Sequence, residues 1–540
     1  MKITTYFLFI CFVLAFANKP AAQQVIPPSA PNDTTRVILI KQARSLREKQ
    51  IDSATTIKTA AGEVIITEGK TTTNCDSAAY NQRTNILEAF GNIHINDNDS
   101  IHTYAQYLRY IGLERIAYLK KNVRLTDKKG TLYTEDLEYN LRTGIATYKN
   151  GGRIVNGSTL LTSKEGVYYA DTKDVYFKNN VHLKDPKYNI TTDSLRYNIK
   201  TGIANFITYT KIINKDGSII ETRSGTYDLN TGNAVFFDRT AYKDSNYFLI
   251  ADKMAYEEKT GILQMEGNAK LVDSANQVTV LGGLVFADKK KNTFLATNKS
   301  VMILYKENDS TYITADTLYS GLRKYDSLER KLTTQQDTLN KVTTLNTQSK
   351  DTSIRYFIAF HHVRIFNDSL QAVSDSLHYS TSDSTFKLFG TPIVWNNDTQ
   401  VTGDTIHMYT QNQKPKRLYV FNNGIIINEA NKVMYNQVAG RTLNGYFKDG
   451  QIDYVRVKGS PAESIFYPQD NDSAYIGMNR SSGDVIDIYF VKKELNKVKF
   501  VNNVDGVMYP LRQIPADKKE LKNFKWWDYR RPKNKLELFE

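Results

Sequence analysis

Cysteine, proline and long apolar runs are scarce in this chain of 540 residues, and each scarcity excludes a class of protein. Cys11 and Cys75 are the two cysteines, and Cys11 falls in a leader-like segment, so Cys75 has no partner for an intramolecular disulfide. Four of the 12 prolines precede residue 32, so the rest of the chain has few residues that interrupt strands. No later apolar run reaches the ~18 residues of a membrane-spanning helix. We therefore expect neither a disulfide framework nor a helical membrane protein.

Motifs that carry catalysis or metal binding are also missing. The sequence has no GxSxG nucleophile elbow, no HExxH zinc motif, no glycine-rich phosphate loop and no cluster of Cys and His. His361 and His362 are adjacent, but no Cys or Glu cluster accompanies them, which argues against a zinc site. We predict a binding or conduit protein and not an enzyme, with no cofactor and no metal.

The N-terminus has the pattern of a secretory leader. Lys2 precedes an apolar run at residues 6–16 and small residues follow, which predicts a signal peptide over residues 1–22. Residues 23–58 are then interpreted as a linker or N-terminal extension. The formal net charge is +14. On an exported, soluble chain this charge does not favour nucleic acid. It fits anionic lipid headgroups or acidic polysaccharide, or it only keeps a long surface solvated.

One sequence unit recurs along most of the chain. TTDSLRYNIKTGIANF (191–206) resembles YTEDLEYNLRTGIATY (133–148) at a separation of 58 residues. Tyr197 has counterparts at steps of 29 or 30 residues, namely Tyr80, Tyr110, Tyr139, Tyr168, Tyr227, Tyr256 and Phe286. The position of Tyr197 in the unit, called the tyrosine slot, recurs at Tyr379 and Met408, and the pattern is weaker at Tyr435 and Tyr475. A period this regular predicts one supersecondary unit, repeated and stacked.

Each unit has the alternation of a half-buried strand. In residues 194–199, apolar Leu195, Tyr197 and Ile199 alternate with polar residues, and Lys-Thr-Gly then supplies a short turn. A further alternating piece follows in register, as in GNIHIND (91–97) and NNVHLKD (179–185). Repeated hairpins predict a long antiparallel sheet that folds over on itself. A parallel β-helix is the alternative, and the hairpin turns argue against it.

The repeats divide the chain into blocks. We expect a first β-repeat block over residues 59–320 and a second over residues 353–510. The polar stretch 321–352 is interpreted as a flexible insertion, with a short amphipathic helix as the alternative. Residues 511–540 form a basic, aromatic tail that does not repeat.

Recurring polar positions admit several interpretations. Aspartates recur at Asp76, Asp193, Asp252, Asp316, Asp375 and Asp404. They could form a calcium ladder, although the glycine-rich nonapeptide of such ladders is missing, or O-glycosylation triplets. We favour capping of free backbone N–H groups where strands begin. His94 and His182 share a slot with Arg124, so we expect an outward polar position. Cys75 occupies a slot that holds small residues in other units, so we expect no redox role.

These motifs resemble the OstA-like family of organic-solvent-tolerance and lipopolysaccharide-transport proteins. The resemblance rests on Asp193-Ser194-Leu195-Arg196-Tyr197 with Thr201-Gly202-Ile203-Ala204, and on Gly91-Asn92 and Gly267-Asn268, and it covers most of residues 60–320 and roughly 370–510. It implies an all-β fold, a long antiparallel folded-over sheet of the β-jellyroll or taco type, open along one side. Lipid acyl chains are expected in its apolar groove.

The resemblance and the strand alternation together name candidate residues. The lipid-groove candidates are Leu108, Tyr110, Val123, Leu125, Leu137, Tyr139, Val181, Leu183, Leu195 and Tyr197. The phosphate-rim candidates are Arg109, Arg124, Lys184 and Arg196. Neither set settles which strand face lines the groove.

The implied function is an exported lipid conduit in the periplasm, associated with the outer membrane in one interpretation. The implied partners are lipopolysaccharide or another envelope lipid, inner- and outer-membrane components of lipopolysaccharide transport, and further copies of the chain end to end. The alternative is a structural or adhesive envelope protein whose sheet closes on its own core and binds no lipid.

Overall fold

The structure is a computed structural model. It describes residues 37–97, 99, 101–127, 130–305, 310–324, 353–411, 414–449, 451–470, 472–491 and 494–539. The signal-peptide prediction and residues 325–352 of the expected insertion lie outside the described residues. Within the described part, the regular elements are strands and four short 3-10 turns at Leu511–Gln513, Ala516–Lys518, Asp528–Arg530 and Glu537–Phe539. The all-β prediction is confirmed.

The described strands number 38. The first nineteen are β1 Leu39–Gln42, β2 Ser45–Gln50, β3 Thr56–Glu68, β4 Thr71–Asn81, β5 Ile86–Asp97, β6 Ile101–Ile111, β7 Ile116–Thr126, β8 Thr131–Asn140, β9 Ile145–Tyr148, β10 Gly152–Asn156, β11 Thr159–Ser163, β12 Glu165–Tyr169, β13 Asp174–Lys184, β14 Tyr188–Asn198, β15 Ile203–Phe206, β16 Thr210–Asn214, β17 Ile219–Thr222, β18 Gly225–Asp228 and β19 Ala234–Phe236. The remainder are β20 Thr240–Lys243, β21 Tyr247–Ala251, β22 Lys253–Glu257, β23 Ile262–Asp273, β24 Val278–Asp288, β25 Thr293–Tyr305, β26 Ser310–Lys324, β27 Ser353–Phe366, β28 Gln371–Ser380, β29 Thr385–Phe389, β30 Ile393–Asn396, β31 Thr399–Thr402, β32 Thr405–Gln411, β33 Lys414–Asn431, β34 Met434–Lys448, β35 Gln451–Phe466, β36 Gly477–Val491, β37 Glu494–Val501 and β38 Asp505–Pro510.

All of these strands belong to one antiparallel sheet. β26 and β27 pair directly from Tyr312↔Phe366 to Lys324↔Ser353, so the sheet runs without a break through both expected repeat blocks. The antiparallel hairpin interpretation is confirmed against the parallel β-helix. Two expected boundaries shift. Residues 39–50, placed in an N-terminal extension, form β1 and β2 on β3, and residues 321–324, placed in the insertion, continue β26.

A crease crosses the sheet at the middle of the long strands. Two successive residues there adopt positive φ and shift the pairing register, as at Gly91-Asn92, Lys121-Asn122, Asn179-Asn180, Gly267-Asn268, Asn298-Lys299, His361-His362 and Asn422-Asn423. Such two-residue bulges bend a strand sharply. Elsewhere, as between β9 and β10 or β15 and β16, the strand breaks at this level. The pieces expected to be separate strands, such as GNIHIND, are therefore the second halves of bent strands.

The crease divides the sheet into two halves that fold over each other. Half A contains segments such as 77–81 and 86–90, and half B contains segments such as 71–75 and 93–97. The ring of Tyr188 in half B lies 5.6 Å from that of Tyr227 in half A, so the inner faces meet. This is the predicted folded-over sheet.

Five of the six recurring aspartates secure the crease, and Asp193 instead accepts from Ser194 Oγ. Asn92 Nδ2 donates to Asp76 Oδ2 at 2.9 Å, and Asn268 Nδ2 donates to Asp252 Oδ2 at 2.7 Å. The same link joins Asn423 to Asp404, while His361 and His362 contact Asp375 and Asp316. The prediction that these aspartates cap backbone N–H groups at strand starts is wrong in this respect. Their partners are side chains of the left-handed pair on a neighbouring strand, because an Asn or His there projects outward beside the carboxylate.

The repeated tyrosine slot is a physical row across half A. Paired residues run from Tyr80 through Leu87, Tyr110, Ala117, Tyr139, Ala146, Tyr168, Val175, Tyr197, Ala204, Tyr227, Ala234, Tyr256, Leu263, Ala287, Phe294, Ser320, Phe357, Tyr379, Phe386 and Met408 to Leu418. The assignment of Phe286 is wrong. Leu263 pairs with Ala287, because this hairpin is one residue longer than the one joining Leu87 to Tyr110.

The row also corrects the end of the repeat. Tyr435 pairs with Glu429 in half B, and Tyr475 forms an isolated bridge with Gln469, so neither occupies the slot.

The C-terminal tail forms a strap over the outer face of half B. Residues 511–539 carry Leu521, Phe524, Trp526 and Trp527 onto outward apolar residues such as Ile425, Ile427 and Trp395. Three buried glutamines, Gln371, Gln400 and Gln437, hydrogen-bond the strap. A glutamine can satisfy a backbone N–H and a backbone C=O at once, so these residues dock a segment that has no strand partner.

Candidate functional site

A long cavity lies between halves A and B. It encloses about 2510 Å³ and extends from Ile101 and Leu125 near one end to Leu418 at the other. The cavity crosses from the first expected repeat block into the second, because both contribute to the same folded sheet. The cavity is therefore continuous between the two expected repeat blocks.

Strand alternation explains the apolar lining. From half A the cavity is lined by row members, including Tyr168, Tyr197, Tyr227, Tyr256, Leu263, Phe294, Phe357, Tyr379, Phe386 and Met408. From half B it is lined by Leu161, Leu183, Tyr188, Ile220, Tyr242, Leu249, Leu271, Met302, Ile313 and Ile365. Side chains of successive residues point to opposite faces of a strand, so each strand delivers every second residue to the cavity.

Four of the lining tyrosines, Tyr188, Tyr197, Tyr227 and Tyr256, have phenols that remain protonated in this environment. Burial, with a smaller contribution from Glu258, raises the pKa of Tyr256 to about 12. Burial is also the main cause of the raised pKa of Tyr197, Tyr227 and Tyr188. The lining therefore combines an apolar surface with neutral phenol donors, which suits a ligand with hydrocarbon chains and polar atoms at one end.

The predicted groove residues fall into three groups. Leu125, Leu137, Leu183 and Tyr197 line the cavity. Val181 and Leu195 are fully buried at the crease beneath it. Leu108, Tyr110, Val123 and Tyr139 belong to the N-terminal core, where the two halves pack directly on each other.

The predicted rim residues do not line the cavity. Arg109, Arg124, Lys184 and Arg196 alternate with inward residues and lie on the outer face. The guanidinium of Arg124 lies 4.0 Å from the ring centre of Tyr104, and Arg196 Nη2 lies 3.0 Å from Asp174 Oδ2. Because successive residues of a strand alternate between its two faces, these side chains point away from the apolar ones. The mouth of the groove is formed by strand ends and not by the outer face.

The mouth of the cavity is formed by two rows of turns, which the sequence analysis missed. Lip B, at the strand ends of half B, contributes Asp127, Asp185, Lys187, Lys215, Asp216, Asp244 and Asp273. Lip A, at the strand ends of half A, contributes Glu258, Asp288, Lys289, Lys290, Arg355, Lys414 and Asp449. Among the described lining residues, eight carboxylates therefore face six basic groups. The signal for these residues was the Asx-containing turn that closes each hairpin.

The groove is closed toward the N-terminus. Tyr110 in half A donates its phenol O–H to Glu68 Oε1 in half B at 3.1 Å, above a core that includes Val64, Leu87 and Leu108. Tyr148 then marks the transition, because it contacts Ser163 Oγ at 2.6 Å and also lines the cavity. The open part of the groove begins beyond this point.

The other positions considered in the sequence, the histidines and Cys75, lie outside the cavity lining. In the described ranges, no group of three or more His, Cys, Asp or Glu could hold a metal ion. His94 stacks on Tyr104 at 4.6 Å on the outer face, and Cys75 is buried with its pKa raised to about 11, mainly by burial and also by Asp76. Within the part of the chain that the structure covers, no helix is long and apolar enough to cross a membrane.

Comparisons with known proteins find similarity over part of this chain. No curated protein matches the chain. Among solved structures, one similar chain is LptH from Pseudomonas aeruginosa, the LptA-homologous periplasmic component of a lipopolysaccharide transport device. That likeness has 18% identity and a TM-score of 0.19, and it covers 22% of this chain and 84% of LptH. A family model described as OstA-like protein matches residues 34–193. Residues 34–193 are thus similar to the OstA-like family, which confirms the resemblance over this part of the chain.

Proposed function

We propose that this protein is a periplasmic lipid carrier of lipopolysaccharide transport, which holds acyl chains in the cavity between halves A and B. The observation that carries the proposal is the continuous 2510 Å³ cavity with an apolar lining from Leu125 to Leu418. Each methylene removed from water contributes ~0.8 kcal/mol, so even a partly inserted acyl chain is held firmly. The OstA-like segment at residues 34–193 supports the transport role.

The repeated lining suits movement along the groove. Equivalent residues, such as Tyr197, Tyr227 and Tyr256, present nearly the same surface at each step of the row. An acyl chain that slides by one unit exchanges one set of contacts for a similar set, so no single position becomes a deep trap. Transfer to lipopolysaccharide-transport components at the inner and outer membranes, with end-to-end contact between copies, completes the proposed role.

The alternative is a structural envelope protein with a closed core. The N-terminal core around Val64 and Leu108 has this character, since its two halves pack directly. The wide cavity beyond Tyr148 favours the carrier. The two functions differ in one observable, because a carrier purified from its native envelope retains lipid and a closed structural protein does not.

Photo-crosslinking from two adjacent positions tests the proposal. Tyr197 lines the cavity, whereas Arg196 lies on the outer face beside Asp174. A photoreactive phenylalanine analogue at Tyr197 is expected to capture a lipid in native cells, and the same analogue at Arg196 is the matched control. Mass spectrometry of the adduct then identifies the lipid. Labelling at Arg196 but not at Tyr197, or lipid-free protein in organic extracts, would refute the carrier role.

A further inference from the structure

The charge at the cavity mouth contrasts with that of the whole chain. The chain carries a formal net charge of +14, whereas the described lining residues include two more carboxylates than basic groups. The excess lies in the centre of lip B, where residues 185–273 contribute four aspartates and two lysines. A site built for a headgroup with several phosphates needs the opposite balance, because like charges repel across the low-dielectric wall of a cleft.

Turn geometry keeps two carboxylates of lip B, those of Asp216 and Asp244, ionised. Asp216 accepts hydrogen bonds from Ser218 Oγ at 2.6 Å and from its backbone N–H at 3.0 Å, and these bonds lower its pKa. At Asp244 burial acts in the opposite direction, but hydrogen bonds from the backbone N–H groups of Asn246 and Tyr247 and from the Tyr242 phenol lower the pKa overall. Both side chains are therefore negative at neutral pH.

In the central part of the mouth, lip A carries a pair of lysines. Lys289 and Lys290 are consecutive and exposed in the turn between β24 and β25. The positive charge of Lys289 is a minor contributor to the lowered pKa of both Asp216 and Asp244. The central mouth is thus bipolar, with aspartates along lip B and a lysine pair on lip A.

We propose that the lipid held in this cavity has a zwitterionic headgroup, in which a cationic amine meets the aspartates of lip B while a phosphate meets Lys289 and Lys290 of lip A. This inference rests on the proposed carrier function and narrows its ligand. A headgroup with several phosphates and no amine gains the lysine pair of lip A, but on lip B it faces four aspartates and only two lysines. A zwitterion satisfies both lips.

A binding series with identical acyl chains tests the headgroup. The delipidated full-length mature protein is titrated with dimyristoyl phosphatidylethanolamine, phosphatidylglycerol and phosphatidic acid, each competing against one fluorescent fatty acid. Phosphatidylethanolamine is expected to compete at least about fivefold better than either anionic lipid. Equal or better competition by the anionic lipids would overturn the headgroup inference and leave the carrier function standing. Failure of every lipid to bind would overturn both.

A pair of substitutions tests the origin of the preference. Asn caps the same turns as Asp, so Asp216→Asn combined with Asp244→Asn removes two charges and keeps the local fold. The preference for phosphatidylethanolamine is expected to fall toward unity, while binding of the fluorescent fatty acid improves or stays the same. Asp193→Asn on the outer face is the control and is expected to leave the preference at its original value. An unchanged preference in the double variant would contradict the assigned role of lip B.

Discussion

The phenol of Tyr110 donates a hydrogen bond to Glu68 across the groove, from half A to half B, over a distance of 3.1 Å. The two residues lie three strands apart along the sheet, so their contact exists only because the sheet folds over. The pKa of Tyr110 is raised, first by burial and then by the Glu68 carboxylate, which keeps the phenol protonated as the donor. This hydrogen bond marks where the groove is closed.

Removal of the Tyr110 hydroxyl is expected to destabilise the closed N-terminal part. Tyr110→Phe keeps the ring but leaves the partly buried Glu68 carboxylate without this donor, at a cost of about 1–2 kcal/mol. Urea unfolding followed by circular dichroism measures the change. Tyr107→Phe is the control, because Tyr107 donates to Glu88 at 2.7 Å on the outer face, within one half. Equal losses in the two variants would contradict a special role for the contact between halves.

The crease should be sensitive to a single methyl group. Gly267 has φ of +74°, and a Cβ there would lie 2.7 Å from Asp252 Oδ2, the acceptor of the Asn268 link. Gly267→Ala is therefore expected to destabilise the protein in two ways. It breaks the Asn268–Asp252 link, and it holds an alanine in the left-handed conformation, which alone costs about 1–2 kcal/mol.

The matched control for this prediction is Gly157→Ala. Gly157 also has positive φ, +58°, but nothing lies within 4 Å of its Cβ position. Thermal unfolding should show the larger loss of stability for Gly267→Ala, by about 1 kcal/mol or more. A control that loses as much as the crease variant would show that backbone strain alone governs both sites.

The repeat could be predicted from the sequence because the alternation of inward and outward residues is linked to strand pairing in an antiparallel sheet. A residue that faces inward on one strand is paired with an inward residue on the next, so a tyrosine every 29 or 30 positions becomes one row. Tyr197 and Tyr227 show this directly, since each pairs with Ala204. Leu183 and Tyr197, two of the groove candidates, both line the cavity in the structure.

The cavity mouth could not be predicted from the alternation of residues along the strands. Alternation separates two faces, but it does not say that the ends of the strands converge when the sheet folds. The rim was therefore expected at Arg124 and Arg196, on the outer face, whereas Lys289 and Asp216 occupy it in the structure. Asp216 accepts hydrogen bonds within its own turn, and the fold also places its carboxylate at the mouth of the cavity. The wrong assignment of Phe286 also arose from a feature that alternation does not reveal, because its hairpin is longer by one residue.

The strap of residues 511–539 is expected to depend on its glutamine contacts. Gln400 Nε2 donates to the carbonyl oxygen of Lys525 at 2.8 Å, and Gln400 Oε1 accepts from the backbone N–H of Trp527 at 2.7 Å. Gln400→Leu leaves both strap groups buried without these partners, at a cost of about 2 kcal/mol.

Hydrogen exchange localises that loss. Amides of residues 521–531 should exchange faster in Gln400→Leu, while those of the cavity strands remain protected. Gln264→Leu is the control, since Gln264 faces outward in half A, away from the strap. Unchanged exchange in the strap would mean that its aromatic contacts with Trp395 and Tyr435 suffice to hold it.

Cys75 is expected to be chemically silent in the folded protein. It is buried in the N-terminal core, and burial, followed by the adjacent Asp76 carboxylate, raises its pKa to about 11. Because the thiolate is the reactive species, a thiol with this pKa is almost entirely protonated at pH 8. Iodoacetamide should therefore leave Cys75 unmodified in a native Cys11→Ser chain at pH 8 and alkylate it fully in urea. Native labelling should rise only as the pH approaches 11, and rapid labelling at pH 8 would show that the closed N-terminal core opens readily.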